Sequence, residues 1–186
     1  MIYFITTWTS SGIITGTGIS LDGTLPKDAI SCTQAQYENS SQYTVDASTT
    51  PPTIQQAPAS VLLTQAQARQ LSLLQSSFSQ AEQAPVSFTN AAGVAGTFLM
   101  TPHAWTKYLG EWTEYVVLKS PLPNNSGTTA TFYTETGSAI EFTLADIEAF
   151  YKSGKAQIKS AEATLSAKIA QVNAATTVSA VQAIVW

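Results

Sequence analysis

Between Leu144 and Val172 the chain returns to one stripe at alternating steps of three and four: Leu144, Ile147, Tyr151, Gly154, Ile158, Ala161, Leu165, Lys168 and Val172. This spacing predicts a long helix packed along a second helix. The second helix is expected over 58–84, where Leu71, Leu74 and Phe78 repeat at three and four and Leu63 extends the stripe backwards. Pro85 ends it. At 1.5 Å per residue it would reach about 40 Å, matching the C-terminal helix. Gly154 costs about 1 kcal/mol relative to alanine inside a helix. Its place on the seam suggests close approach by a neighbour.

Elsewhere the period shortens to two. Ile2 and Phe4 alternate with Tyr3 and Ile5, and Gly12, Gly16, Gly18 and Gly23 punctuate a run rich in Thr and Ile, so residues 1–46 read as a small β-rich module. Thr33 and Gln36 form a capping-box signal for a short helix. Residues 47–57, with Pro51-Pro52, read as a proline-rich linker and mark a domain boundary. The third segment, 58–186, holds both long helices. Between them, 86–89, 97–100, 131–134 and 138–142 are expected to form one small antiparallel sheet, with turns at Asn90–Gly93 and Glu135–Gly137. Thr101-Pro102 opens a short helix carrying Trp105, Leu109 and Trp112, and 121–127 is loop. Thr143 with Asp146, and later Thr177, are expected helix caps. The last leads a short helix through Val178, Val181 and Ile184. The expected fold is therefore α+β: a β-rich module, a linker, and two long antiparallel helices with a small antiparallel sheet and an aromatic helix between them.

Composition narrows the function. Only 11% of the 186 residues are charged while 44% are hydrophobic, against about 25% charged in ordinary soluble domains. So weakly charged a chain suits a surface covered by partners. The net charge of −4, with eight scattered cations, argues against nucleic acid, which needs clustered Lys and Arg. No apolar run approaches the roughly 20 residues of a membrane span. Met1–Ile5 lacks a basic flank, so no signal peptide is read and synthesis in a cytoplasm is expected. Cys32 is the single cysteine and has no internal disulfide partner.

Chemistry is sparse. His103 is the one histidine, which leaves no second imidazole for a metal site and no triad. Cys32 has only Lys27 nearby to activate it. Glu111, Glu114, Glu135, Glu141, Asp146 and Glu148 contain no pair tied together by context as a glycosidase would require. No catalytic residue, metal or cofactor is assigned, and a cell-envelope glycan hydrolase is the least favoured reading. Aromatic residues dominate interface hot spots, so Trp8 and Trp186, with Ile2 and Phe4, are the candidate partner contacts. The seam residues Leu63, Leu71, Leu74, Phe78, Leu144, Ile147, Tyr151, Ile158, Leu165 and Val172 serve either helix packing within the chain or oligomerisation.

Two stretches carry a family resemblance. Leu25-Pro26-Lys27-Asp28-Ala29-Ile30 with Thr33-Gln34-Ala35-Gln36-Tyr37 resembles the N-terminal module of bacteriophage tail fibre and tail fibre assembly proteins. Val172-Asn173-Ala174-Ala175-Thr176-Thr177-Val178, continuing through Val181 to Trp186, resembles the C-terminus of a domain of unknown function common in phage tail proteins. Pro85–Thr89 and Phe142–Asp146 fit the same domain's strand-then-helix pattern, whereas 110–127 departs from it. The resemblance implies a non-enzymatic virion protein associated with fibre or baseplate, in contact with other tail proteins and present as a homo-oligomer, a trimer by fibre analogy. A fibre assembly chaperone is the alternative.

Overall fold

The computed structural model describes residues 1–123 and 127–186, so Asn124, Asn125 and Ser126 of the expected 121–127 loop lie outside the described residues. The fold is α+β. The chain divides into two compact units, residues 1–69 with 175–182, and residues 70–174 with 183–186.

In the first unit β1 (Ile2–Trp8) is the middle strand of a three-stranded antiparallel sheet, between β2 (Ile14–Ser20) and β3 (Ile30–Cys32). Alternation would bury one face of β1, yet the neighbours Phe4 and Ile5 are both buried. The reason lies on β2. A Cβ on Gly18 would sit 2.5 Å from the Phe4 ring, so glycine leaves room for that ring on one face while Ile5 fills the other. Helix α1 (Gln34–Glu38) starts at the expected capping box, with Thr33 Oγ1 accepting from Gln36 N–H and Gln36 Oε1 accepting from Thr33 N–H.

The expected linker is built differently. Residues 47–52 turn between β4 (Tyr43–Asp46) and β5 (Thr53–Gln56), which pair antiparallel from Tyr43 with Gln56 to Asp46 with Thr53. The Asp46 carboxylate accepts from Ser48 N–H and Oγ at 2.9 and 2.6 Å, and the Thr49 hydroxyl bridges Asp46 O and Pro51 O. These local bonds make a tight turn where composition suggested a spacer. The division between the two units falls at Arg69/Gln70, inside α2 (Ala59–Glu82).

The second unit is organised by a repeat. β6 (Val86–Thr89) and β7 (Ala95–Phe98) form one hairpin; β8 (Ala130–Tyr133) and β9 (Ala139–Phe142) form another in the same register, Val86 facing Phe98 and Ala130 facing Phe142. Phe88, Gly93, Ala95 and Phe98 recur as Phe132, Gly137, Ala139 and Phe142. Each hairpin leads into a helix behind a threonine cap. Thr101 accepts from Ala104 N–H at the start of α3 (Pro102–Glu111), and Thr143 accepts from Asp146 N–H at the start of α4 (Leu144–Ala174). A π-helical turn, Trp112–Val117, continues α3.

The four strands do not form the single sheet expected. They remain two hairpins because aromatic side chains, not a backbone ladder, fill the space they share. Phe88, Phe98, Phe132, Phe142, Tyr108 and Phe150 meet with ring centroids 4.5–6.0 Å apart. The turns then tie the repeats reciprocally. Asn90 Nδ2 donates to Glu141 O and Ala91 N–H to the Asp146 carboxylate, while Glu135 N–H donates to Thr97 O.

One turn design recurs in three hairpins: Thr9–Ile13, Asn90–Val94 and Thr134–Ser138. In each, the first residue's N–H donates to the fifth carbonyl, the fourth residue's N–H donates back to the first carbonyl, and the fifth N–H donates to the first side chain. The fourth residue is Gly12, Gly93 or Gly137, at φ of +81°, +81° and +82°. This is the three-residue hairpin loop with a left-handed glycine.

Candidate functional site

The α4 stripe is largely consumed within the chain. Ile147, Gly154, Ala161 and Val172 are buried, and Tyr151, Ile158, Leu165 and Lys168 are half-buried. Leu144 departs from the expectation: at the first turn it is 38% exposed, because the helix begins there and its packing starts one turn later at Ile147. Gly154 does permit close approach, since a Cβ there would lie 2.6 Å from Met100 Cε and 2.7 Å from Trp105 Cζ3. Tyr151 is sandwiched between Trp105 and Trp112, with centroids 5.3 and 4.4 Å away and planes within 7° and 14° of parallel. Trp105 and Trp112 therefore belong to internal packing. Leu109, expected on the same face, is exposed.

Along α2, Leu74 is buried and Leu63, Leu71 and Phe78 are half-buried. Its C-terminal end is held to α4 by Gln157 Nε2, which donates to Ala84 O at 2.6 Å and Ala81 O at 3.3 Å. In the same unit Gln70, itself buried, donates through Nε2 to Ile184 O, and the Trp186 ring lies 6.4 Å from Phe78. Beside these anchors Val185 is 64% and Trp186 39% exposed, and Leu73 on α2 is 52% exposed. Residues 184–186 thus combine a hydrogen-bonded backbone carbonyl with a largely exposed Val185 and a partly exposed Trp186.

In the first unit, α5 (Val178–Gln182) opens at Thr177, whose hydroxyl accepts from Ala180 N–H, and Val181 is fully buried. Gln67 Nε2 donates to Ala175 O just before it. Gln42, Leu62, Gln65, Arg69, Val178 and Gln182 border a cleft of about 360 Å³ holding the chain's one arginine. Of the other contact candidates, Ile2 and Trp8 are half-buried and Phe4 is buried against Gly18. Phe4 is a core residue and is not available to a partner.

Several of the acids are occupied locally. Glu141 accepts from the Thr129 and Thr131 hydroxyls, which hold its carboxyl below the usual range. Burial pushes Asp146 upward, but the Thr143 hydroxyl, Thr143 N–H and Ala91 N–H outweigh it and the net shift is downward. Asp22 is lowered to about 2 by the Ser20 hydroxyl and by Thr24 N–H and hydroxyl. Burial raises both the Cys32 thiol and, ahead of the charges of Glu111 and Glu114, the Tyr115 hydroxyl. A raised thiol is the opposite of an activated nucleophile. His103 is exposed near the start of α3. Among the described residues no three His, Cys, Asp or Glu side chains gather as metal ligands, and no helix is long and apolar enough to cross a membrane.

Comparisons with protein-family models, with curated proteins and with solved structures give no significant match.

Proposed function

We propose that the protein is a structural or adaptor component of a bacteriophage tail, associated with fibre or baseplate and acting through protein–protein contacts without catalysis. The observation that carries this reading is the C-terminal stretch Val172–Trp186, where the residues of the family resemblance coincide with a fixed but uncovered apolar end. Val172 and Val181 are fully buried, Ile184 O is held by Gln70, and Val185 and Trp186 face solvent. A tryptophan on an immobilised backbone loses little conformational entropy on binding and suits an interface hot spot. The low charge supports the same reading, as do exposed Leu21, Leu118 and Val117.

In this role the protein sits in the virion tail after synthesis in the host cytoplasm, against other tail proteins, as a homo-oligomer and away from nucleic acid and membrane. Mass spectrometry of purified particles should find it in stoichiometric amount, and Trp186→Ala should reduce its incorporation while leaving the fold intact. Absence from particles, together with loss of soluble fibre when the protein is omitted from co-expression, would replace this role with that of a fibre assembly chaperone. Turnover of host envelope glycans, abolished by a carboxylate-to-amide substitution, would overturn the non-catalytic reading.

A further inference from the structure

The cleft of about 360 Å³ lies wholly within the first unit, small but inside the range of roughly 300–1,000 Å³ for ordinary ligand pockets. Three elements wall it. On α2, Leu62, Gln65, Ala66 and Arg69 fall at i, i+3, i+4 and i+7 and so share one helix face. Val178 and Gln182, an i, i+4 pair, supply a second wall from α5, and Ser41 and Gln42 a third from a 3₁₀ turn, Ser40–Gln42. These walls are pinned from within the unit. Full burial of Val181 anchors α5, Gln67 Nε2 holds Ala175 O just ahead of it, and Ala57 N–H donates to Gln42 O at 2.8 Å. The cleft also holds an unspent charge. A helical arginine is commonly paired with an acid three or four positions away, but around Arg69 those positions are Gln65, Ala66, Ser72 and Leu73. No Asp or Glu lines the cleft, and among the described residues the one ion pair joins Lys152 to Glu148. Arg69 is exposed, and among the described residues no side chain or carbonyl occupies its guanidinium.

We propose that this cleft binds a small organic carboxylate, Arg69 taking the carboxyl group and the amides of Gln42, Gln65 and Gln182 the polar body of the ligand. The residues themselves select this class. A guanidinium is a planar fork of N–H donors that matches the two oxygens of a carboxylate, and such charge-assisted pairs are stronger than neutral hydrogen bonds. One positive charge balances one carboxyl group, whereas a doubly ionised phosphate would leave charge uncompensated in the cleft. Glutamine amides both donate and accept, so hydroxyl or amide groups on the acid are matched beside its carboxylate. Leu62, Ala66 and Val178 leave an apolar strip for a short carbon skeleton. The chain as a whole carries −4, so the anion is held by the local field of Arg69 and is not drawn in from a distance. Binding is accordingly weak and weakens further with salt. The inference is independent of the tail reading and stands or falls separately from it.

Nuclear magnetic resonance titration of the full-length chain tests it, read at the Arg69 Nε–H and at the side-chain amides of Gln42, Gln65 and Gln182. The probes are N-acetylglycine, a single carboxylate on an amide body, and N-acetylglycinamide, its uncharged counterpart, at matched ionic strength. N-acetylglycine should shift these signals to saturation at millimolar concentration, and the amide should bind at least about tenfold more weakly. Arg69→Gln should weaken N-acetylglycine by a similar factor with an unchanged circular dichroism spectrum, since the arginine is exposed. Shifts that never saturate, equal affinity for the two probes, or undiminished binding in Arg69→Gln would each overturn the inference. Should Arg69→Gln fail to fold, the two probes on the wild type decide alone: equal affinity, or no saturable shift at these four side chains, overturns it.

Discussion

Gly12, Gly93 and Gly137 occupy the same left-handed position of the same turn, yet they are not equally replaceable. A Cβ on Gly12 would lie 2.3 Å from Val45 O, whereas Gly93 and Gly137 have nothing within 4 Å of theirs. Alanine at 93 or 137 therefore meets only the cost of positive φ, about 1–2 kcal/mol. Alanine at 12 must also displace the strand backbone, so Gly12→Ala should be the most destabilising of the three in urea titration; equal losses would mean that β4 yields freely. Asp146 is the second informative residue. Its folded pKa lies below the unfolded value of about 3.9, so its contribution is complete above that value and disappears as pH falls through the folded one. Asp146→Asn should cost about 1–3 kcal/mol at pH 7, with the gap from wild type narrowing below pH 4. A gap independent of pH would show that shape, not charge, is what the site requires.

Among elements, the helices were the most legible in sequence and the sheets the least. Periodicity located α2 and α4 to within two residues, and the caps at Thr33, Thr101, Thr143 and Thr177 all form. Helix signals are local, carried by side chains three and four positions apart. The hairpins at 86–98 and 130–142 were also visible locally, but whether they would join into one sheet depended on rings brought together from distant positions. The shared pattern of Thr or Asn followed three residues later by Gly, and the Phe–Gly–Ala–Phe spacing common to both hairpins, are present in the sequence as a repeat between distant segments and not as a local period. Asp46 misled in the opposite direction: its side-chain bonds turned a proline-rich stretch into a hairpin. At this scale Gly154→Ala is the sharpest test. Helix propensity alone favours it by about 1 kcal/mol, but the new methyl must move Trp105, which is pinned on Tyr151. Overpacking of about 1–3 kcal/mol should win and lower the melting temperature; a stabilised variant would show that Met100 and Trp105 relax.

For the whole molecule, the candidate site was legible only in part. Trp186 was identified as a contact and is exposed, while Phe4 was identified and is buried, because the glycine that admits its ring lies on another strand. Nothing in a local pattern announces such a vacancy. The seam of α4, equally suited on paper to another copy, is mostly buried inside the chain, whereas Trp186 remains partly exposed. The stacked Trp105, Tyr151 and Trp112 have a further consequence, for how the protein interacts with light. Indole and phenol transitions held 4.4–5.3 Å apart and nearly parallel couple, so the native chain should show a strong near-ultraviolet circular dichroism signal that Tyr151→Leu abolishes. Trp186, exposed and away from the stack, should emit at longer wavelength and shift to the blue only when a partner covers it. The molecule thereby carries two independent optical reporters, one for its interior and one for its company.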